Sequence, residues 1–173
     1  MGRDKALLLL ARRPAARRVA DAAREAGAAS VVALGGDGPA LAELGLATRQ
    51  DEHPGEGPLP ALAAELRGAD HDVVLVLGCD LVAPSSRAMA ATVQALFDDP
   101  RADVAVPVDA DGHRQWVHAA WRTRAASALA AAVVGGERSM AGAAPPPALL
   151  EVPGLDPESL RDADRPEDLP GAG

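Results

Sequence analysis

Asp80 ends the segment that follows the strongest predicted strand of the sequence, at residues 72–77, with Gly78 and Cys79 between them. That run does not alternate polar and apolar residues, which predicts a strand with both faces buried, as in a parallel sheet. In open α/β sheets, ligands bind beyond the carboxyl ends of the strands. A carboxylate at that place commonly holds a divalent metal that bridges phosphates. Asp80 is therefore a candidate metal ligand, with a turn or helix-capping aspartate as the alternative.

Lys5 is the only lysine among the 17 basic residues, and all the others are arginine. An ammonium binds phosphate oxygens as a point charge on a flexible stem, whereas a guanidinium imposes a planar fork. A lysine kept in so arginine-rich a chain indicates a position that needs this point charge. Chance under a codon bias is the alternative.

A glycine-rich loop, D-E-H-P-G-E-G at residues 51–57, leads into a helix expected to begin near Pro58. Exposed backbone N–H groups at a helix N-terminus favour an anionic or polar ligand. An ordinary Gly-Pro helix start without a ligand is the alternative, and His53 in this loop is expected to face solvent.

Cys79 and an acidic cluster near the end of the chain each have a structural interpretation beside the functional one. Cys79 has no histidine placed to act as its base, which favours a buried small hydrophobe over a nucleophile. The acidic cluster is either solvated or the source of a second metal ligand. Its members are Asp162, Asp164, Glu167 and Asp168.

Composition excludes several classes of protein. The net charge of −8 and an aromatic content of 2% argue against binding to a nucleic-acid backbone or stacking on bases. A single cysteine excludes an intramolecular disulfide framework and a multi-cysteine zinc site. The apolar runs are too short for a membrane span or a signal peptide. We therefore expect a cytoplasmic monomer or weak homo-oligomer with no nucleic-acid or membrane partner.

Helical and strand patterns alternate along the 173 residues, which fit one domain over 1–169 and a frayed tail at 170–173. The alternation predicts an α/β three-layer sandwich with a mostly parallel sheet and one hairpin-like insertion. Trp116 and Trp121 are expected on opposite faces of one strand. The predicted helices cover 15–26, 40–44, 58–66, about 86–97 and 125–134. The predicted strands cover 30–34, 47–50, 72–77, 104–108, 115–121 and 149–152, and those at 30–34 and 104–108 are expected to be buried, as is the one at 72–77.

Five segments, in the same order and over nearly the whole chain, match one set of motifs. Residues 1–7 match the second half of L-A-G-G-x-S-x-R-M-G-x-D-K-x-L, and residues 12–19 look like G-R-P-L-L-x-R-V. Residues 51–59 match D-x-x-P-G-x-G-P-L, residues 77–81 look like a strand-end C-D-x-P, and residues 162–169 look like D-x-N-T-P-E-D-L. Together they resemble the molybdenum cofactor guanylyltransferases, within the MobA-like nucleotidyltransferases.

The resemblance implies a Rossmann-like fold of the nucleotide-diphospho-sugar transferase type, and transfer of GMP from GTP to molybdopterin with release of pyrophosphate. It implies that Lys5 contacts the nucleotide phosphates and that Asp80 binds Mg²⁺, both as catalytic residues. Asp164 is implied as a further Mg²⁺ ligand. The nucleotide-binding and cofactor-binding positions that the resemblance carries over are Gly2, Lys5, Asp51, Gly55, Gly57 and Asp80.

The chain departs from the family pattern at three places. The first strand and the L-A-G-G-x-S-x-R half of the loop do not precede Met1, residues 34–37 replace an expected Asn, and Asp164-Arg165 replaces Asn-Thr. We expect an in-frame upstream segment of roughly 15–25 residues that encodes a strand and a Gly-rich loop. Without it, the strand at 30–34 has an open apolar edge. An upstream stop codon would contradict this expectation.

Two hypotheses of different classes follow. The first is an Mg²⁺-dependent guanylyltransferase of molybdenum cofactor maturation, with CTP or another phosphorylated acceptor left open by the incomplete loop. The second is a non-catalytic relic of the nucleotidyltransferase fold that binds a partner or nothing. Mg²⁺-dependent nucleotide binding separates the two.

Overall fold

The computed structural model describes residues 5–10, 12–143 and 148–163. The chain divides into two compact units. The first unit comprises Met1–Gln50, Leu77–Ala90 and Leu155–Gly173, and the second comprises Asp51–Val76 and Ala91–Gly154. The single domain expected over 1–169 stays a prediction. The tail expected at 170–173 lies outside the described residues.

Helix α1 (Ala15–Glu25) is the main element of the first unit and confirms the helix predicted there. Pro14 precedes its first turn, where a fixed φ and a missing N–H cost nothing. The antiparallel pair β1 (Leu9–Leu10) and β2 (Arg13–Pro14) leads directly into it. Its buried side consists almost entirely of alanine, so neighbouring segments approach it closely; the buried residues are Ala15, Ala16, Val19, Ala20, Ala22 and Ala23.

A parallel pair of strands, β3 (Val32–Leu34) and β4 (Ala47–Arg49), completes the first unit with helix α2 (Gly38–Glu43) between them. The prediction that the strand at 30–34 is buried is wrong, because Val32 and Leu34 are 41% and 38% exposed. Among the described residues this sheet has two strands, and the Ala33 side of β3 makes the packing contacts. Its neighbours there form the first-unit cluster, whose buried members are Ala6, Ala16, Ala20, Leu41 and Leu46.

The second unit holds a four-stranded sheet. Strand β7 runs antiparallel to both β5 and β6, while β6 and β8 are parallel. Three of the four strands therefore share one direction, and β7 is the strand of the predicted hairpin-like insertion. This sheet with its helices confirms the predicted α/β class. The sheet order is β5 (Val73–Leu75), β7 (Ala120–Arg122), β6 (Val104–Pro107) and β8 (Leu149–Val152).

The helices of the second unit bury the core of the sheet. Helices α3 (Pro58–Arg67), α5 (Ala126–Val134) and α6 (Met140–Ala143) pack against one another and against β6, whose four residues are all buried. Helix α4 (Ser86–Asp98) begins in the first unit and ends in the second. None of the helices in the described residues is long and apolar enough to cross a membrane.

Two predictions for the second unit are wrong in detail. Strand β5 covers only Val73–Leu75 and is half-buried, because it lies at the edge of the sheet with β7 as its one described neighbour. Trp116 lies in a 3₁₀ turn, Trp116–His118, so the alternation of a strand does not apply to it. Its ring centroid is 6.2 Å from that of Trp121, and both indoles pack in the same core.

Candidate functional site

The structure brings Lys5 and Asp80 together, although 75 residues separate them in the chain. Nζ of Lys5 donates to Oδ2 of Asp80 at 3.0 Å. The Lys5 side chain is 37% exposed and the Asp80 side chain is 14% exposed. The lysine and the aspartate that the sequence marks as candidates thus form an ion pair that is accessible to solutes.

Lys5 is positioned by a short turn that packs against helix α1. The turn is a 3₁₀ helix, Lys5–Leu7, and its central residue Ala6 is buried in the first-unit cluster. The N–H of Leu8 donates to the carbonyl of Lys5 at 3.2 Å, and the carbonyl of Leu8 accepts from the first amide of α1, on Ala15, at 2.8 Å. The Lys5 backbone is therefore held to the helix by both packing and hydrogen bonds.

Asp80 is positioned by pairing with a segment near the end of the described chain. The N–H of Ala163 donates to the carbonyl of Asp80 at 3.0 Å, and the N–H of Val82 donates to the carbonyl of Arg161 at 2.9 Å. Leu81 and Asp162 face each other in the antiparallel bridge between these bonds. Of the predicted acidic cluster only Asp162 is described, and it lies in this bridge; Asp164, Glu167 and Asp168 lie outside the described residues.

Two other predicted positions have different outcomes. Cys79 is half-buried and packs against the first-unit cluster, as expected for a small hydrophobe. Gly2 lies outside the described residues.

Asp51 and the two loop glycines lie in the second unit. Oδ1 of Asp51 accepts from the N–H of His53 at 2.8 Å, which fixes the start of the loop. Gly55 and Gly57 have φ angles of +81° and +91°, which side chains other than glycine rarely adopt. A Cβ on Gly57 would also lie 3.1 Å from the carbonyl oxygen of Arg138. The glycines therefore allow a tight turn into α3 under a covering backbone.

The N-terminus of α3 is partly occupied by the chain itself. The N–H of Leu59 donates to the carbonyl of Arg138 at 3.4 Å, a long and weak bond. Nε of Arg138 lies 3.6 Å from Glu56 of the same loop, and Nδ1 of His53 lies 3.6 Å from that carboxylate as well. Whether Asp51, Gly55 and Gly57 bind a nucleotide stays a prediction.

A cluster that the sequence reasoning missed lies in the turn after β6. Single ligand atoms of Asp109, Asp111 and His113 all lie within 4.8 Å of one another, and the D-x-D-x-H spacing was the available signal. Oδ1 of Asp109 accepts from the N–H groups of Asp111 and His113. The N–H bond from His113 is the main reason that the pKa of Asp109 lies below its usual value, against an opposing effect of desolvation. These hydrogen bonds explain the presence of Asp109 as a residue that stabilises the turn.

The chemistry of the Asp80 carboxylate fits a divalent metal such as Mg²⁺. Mg²⁺ is usually bound by one or two carboxylates together with waters and phosphate oxygens. Asp80 offers one carboxylate that is partly open to solvent and already has a cation, the Lys5 ammonium, next to Oδ2. The further ligand implied by the resemblance, Asp164, lies outside the described residues.

Several solved structures share this fold at low sequence identity. Molybdopterin-guanine dinucleotide biosynthesis protein A from Archaeoglobus fulgidus is 16% identical, with a TM-score of 0.68 over 96% of this chain and 87% of that one. The 2-C-methyl-D-erythritol 4-phosphate cytidylyltransferase from Thermus thermophilus is 20% identical, with a TM-score of 0.66 over 95% and 89%. The protein Rv0371C from Mycobacterium tuberculosis H37Rv, solved in complex with manganese, is 18% identical, with a TM-score of 0.63 over 95% and 88%.

These likenesses confirm the predicted Rossmann-like α/β fold of the nucleotide-diphospho-sugar transferase type. No curated protein matches the chain. The family model described as MobA-like NTP transferase domain matches residues 1–147, which is most of the sequence. The Lys5 and Asp80 positions both fall within that match. The chain therefore belongs to the MobA-like NTP transferase domain family and is a nucleotidyltransferase.

Proposed function

We propose that this chain transfers GMP from GTP to molybdopterin or a closely related phosphorylated acceptor, with release of pyrophosphate. The observation that carries the proposal is the ion pair between Lys5 and Asp80 at 3.0 Å. It places an ammonium and a carboxylate together on the surface of a nucleotidyltransferase chain. Phosphoryl-type transfer needs mainly positioning and charge neutralisation. The Lys5 ammonium supplies positive charge directly, and the Asp80 carboxylate would supply it through a bound metal ion.

The proposed reaction is a direct displacement at phosphorus. A phosphate oxygen of the acceptor attacks the α-phosphorus of GTP and forms a new P–O bond. The bond between the α-phosphorus and the bridging oxygen breaks, and pyrophosphate leaves with the electron pair. Lys5 offsets negative charge on the phosphate oxygens as that charge grows. No nucleophile from the protein is needed, consistent with Cys79 in a packing role.

Asp80 is the proposed holder of Mg²⁺, together with Asp164. The cation would add Lewis-acid charge neutralisation at the phosphates. In this proposal Lys5 binds the phosphates and Asp80 binds the metal. The ion pair keeps both side chains within reach of one metal-bound nucleoside triphosphate. Asp51, Gly55 and Gly57 are the proposed contacts to the nucleotide donor, as the resemblance implies.

CTP is the second candidate donor, and a specific observation favours it. One of the similar structures described above is a cytidylyltransferase. The likeness to molybdopterin-guanine dinucleotide biosynthesis protein A and the order of the sequence motifs support GTP instead. The four nucleoside triphosphates therefore have to be compared directly.

The test is Mg²⁺-dependent release of pyrophosphate by the purified chain, with each nucleoside triphosphate in turn. Molybdopterin is the first acceptor, and 2-C-methyl-D-erythritol 4-phosphate is the comparison acceptor. We expect turnover with GTP and molybdopterin to exceed every other combination. A higher rate with CTP would select the second candidate.

Nucleotide binding by calorimetry separates an enzyme from the relic hypothesis. Mg²⁺-dependent binding of a nucleoside triphosphate by the folded chain supports the proposal. A folded chain that binds no nucleoside triphosphate and releases no pyrophosphate would refute it and leave the non-catalytic relic.

A further inference from the structure

Asp80 lies in a stretch of chain whose own backbone does not fix its direction. Residues 76–80 are neither helix nor strand, and Leu81 takes part only in an isolated bridge. Contacts from elsewhere therefore determine where the Asp80 carboxylate points. Two of them are the backbone bonds to Arg161 and Ala163 described above.

The Arg18 side chain supplies a further contact, to the residues that follow this stretch. Nη1 of Arg18 donates to the carbonyl of Val82 at 2.9 Å, across 64 residues of sequence. Val82 is 5% exposed, so the acceptor lies on a buried residue two positions after Asp80. Burial, and then the neighbouring positive charge of Arg13, lower the pKa of Arg18. The guanidinium is thus partly withdrawn from water, where a hydrogen bond to a charged donor is worth more than at the surface.

Helix α1 carries Arg18 and also holds the Lys5 turn. Ala16 and Ala20 of α1 pack with Ala6 of the turn, and the first amide of α1 binds the carbonyl of Leu8. One rigid helix is therefore bonded to the chain on both sides of the ion pair. A change in Arg18 would move Asp80 relative to Lys5 without touching either residue.

We propose that Arg18 is a positioning residue, which holds the Asp80 carboxylate beside Lys5 through the carbonyl of Val82. The inference deepens the proposed function and rests on it. Arg18 itself contacts neither the nucleotide nor the metal. Its loss misplaces one oxygen ligand, so metal affinity and turnover fall, while the affinity for the nucleotide at saturating metal changes little.

Arg17 provides a matched control on the same helix. Nη1 of Arg17 also donates to a backbone carbonyl, that of Leu44, at 2.8 Å, and its Nε donates to Asp21 at 2.9 Å. Arg17→Met removes two side-chain hydrogen bonds, against one for Arg18→Met, but neither of the two reaches the residues around Asp80. Arg18→Lys keeps the positive charge and one donor, and tests rescue by the conservative replacement.

The experiment measures Mn²⁺ binding by electron paramagnetic resonance, together with kcat, the KM for the nucleoside triphosphate and thermal unfolding. Removing a group that orients a metal ligand typically costs about 10–100-fold in metal affinity or activity. For Arg18→Met we therefore expect Mn²⁺ affinity and kcat each to fall at least about tenfold, with the KM for the nucleoside triphosphate at saturating metal within about twofold of wild type. We expect Arg18→Lys to fall between wild type and Arg18→Met, and Arg17→Met to match wild type in Mn²⁺ affinity and kcat.

Four outcomes would overturn the inference. A rise in KM with unchanged kcat and Mn²⁺ affinity would make Arg18 a direct phosphate contact. A lower melting temperature with unchanged Mn²⁺ affinity and kcat would make its role purely structural. Equal losses in Arg17→Met would remove the specific link to Val82. If the wild-type protein binds nucleotide and releases pyrophosphate, and Arg18→Met does so equally well, this inference alone is refuted. If the wild-type protein binds neither Mn²⁺ nor nucleotide, the proposed function is refuted too.

Discussion

Replacing Asp80 by Asn tests whether its charge, rather than its packing, serves the reaction. The variant keeps the shape of the side chain and removes the negative charge that faces Nζ of Lys5 at 3.0 Å. Under the proposed function it also weakens the oxygen ligand for Mg²⁺. Loss of one preorganised group that stabilises developing charge typically costs about 10²–10³-fold in turnover. We therefore expect pyrophosphate release to fall at least about 10²-fold.

The same substitution is expected to change stability only slightly. Lys5 is 37% exposed, so water can hydrate its ammonium once the carboxylate charge is gone. Ion pairs of such exposure contribute about 0.2–1 kcal/mol, and the amide oxygen of Asn still accepts from Nζ. For a chain of this length, 1 kcal/mol corresponds to a shift of about 2–4 °C in melting temperature. A large loss of turnover with a small thermal shift is the expected combination.

The assay combines pyrophosphate release, Mn²⁺ binding and thermal unfolding, with Asp21→Asn as the control. Asp21 accepts from Arg17 at 2.9 Å and also pairs with Arg13 and Arg24, so its loss removes more ion pairs than the loss of Asp80. We expect Asp21→Asn to unfold at a lower temperature and to keep its turnover. Near-normal turnover in Asp80→Asn, or losses that only follow the unfolded fraction, would refute Asp80 as the metal ligand.

Three further substitutions have defined outcomes. Lys5→Arg keeps the charge but imposes a planar fork, so we expect turnover and nucleotide affinity to drop more than about tenfold; a normal rate would leave Lys5 without a specific role. The N–H of His113 holds the pKa of Asp109 below its usual value, so its stabilisation is present above that usual value and is lost as pH falls through the lowered pKa. The melting-temperature difference between wild type and Asp109→Asn should accordingly exist at neutral pH and vanish in acid. Gly57→Ala forces a Cβ into a glycine conformation and to 3.1 Å from the carbonyl of Arg138, so urea unfolding should show a loss of about 1–3 kcal/mol, and an unchanged midpoint would contradict this.

Elements with a strong local signal were predictable from the sequence. Pro14 before α1 and Pro58 at the start of α3 mark helix starts, and both helices begin where the sequence predicts. The apolar run that becomes β6 is buried at all four positions, as expected. In these segments the local preference and the tertiary environment agree, so the pattern is sufficient.

Burial of the shorter strands depended on partners that no local pattern reveals. Residues 30–34 and 72–77 are both predicted in the sequence to be buried strands, yet β3 is largely exposed and β5 half-buried. Each belongs to the edge of its described sheet, and a strand loses burial with each neighbour it lacks. The predicted orientation of Trp116 was wrong for a related reason. It depended on the alternation of side chains along a strand, and Trp116 lies in a 3₁₀ turn instead.

The candidate site shows what residue type can and cannot reveal. Lys5 is conspicuous as the only lysine, and Asp80 as the carboxylate that follows the strongest predicted strand. Their pairing over 75 residues is a property of the fold, for which the sequence offered only the order of motifs. The turn around Asp109 was missed because D-x-D-x-H is also an ordinary polar turn, and the bonds it makes are mostly to its own backbone.

Arg18 illustrates why a positioning residue escapes a search for motifs. Its acceptor is the carbonyl of Val82, which every amino acid would offer at that place, so position 82 carries no signal in its side chain. The information lies instead in the geometry of α1. Successive side chains on a helix diverge by about 100°, and Arg17 therefore reaches Leu44 and Asp21 while Arg18 reaches the stretch after Asp80. Arg17 and Arg18 look interchangeable in the sequence, but one step along the helix gives them different partners. Arg17 binds the end of α2, and under our proposal Arg18 positions the carboxylate that pairs with Lys5.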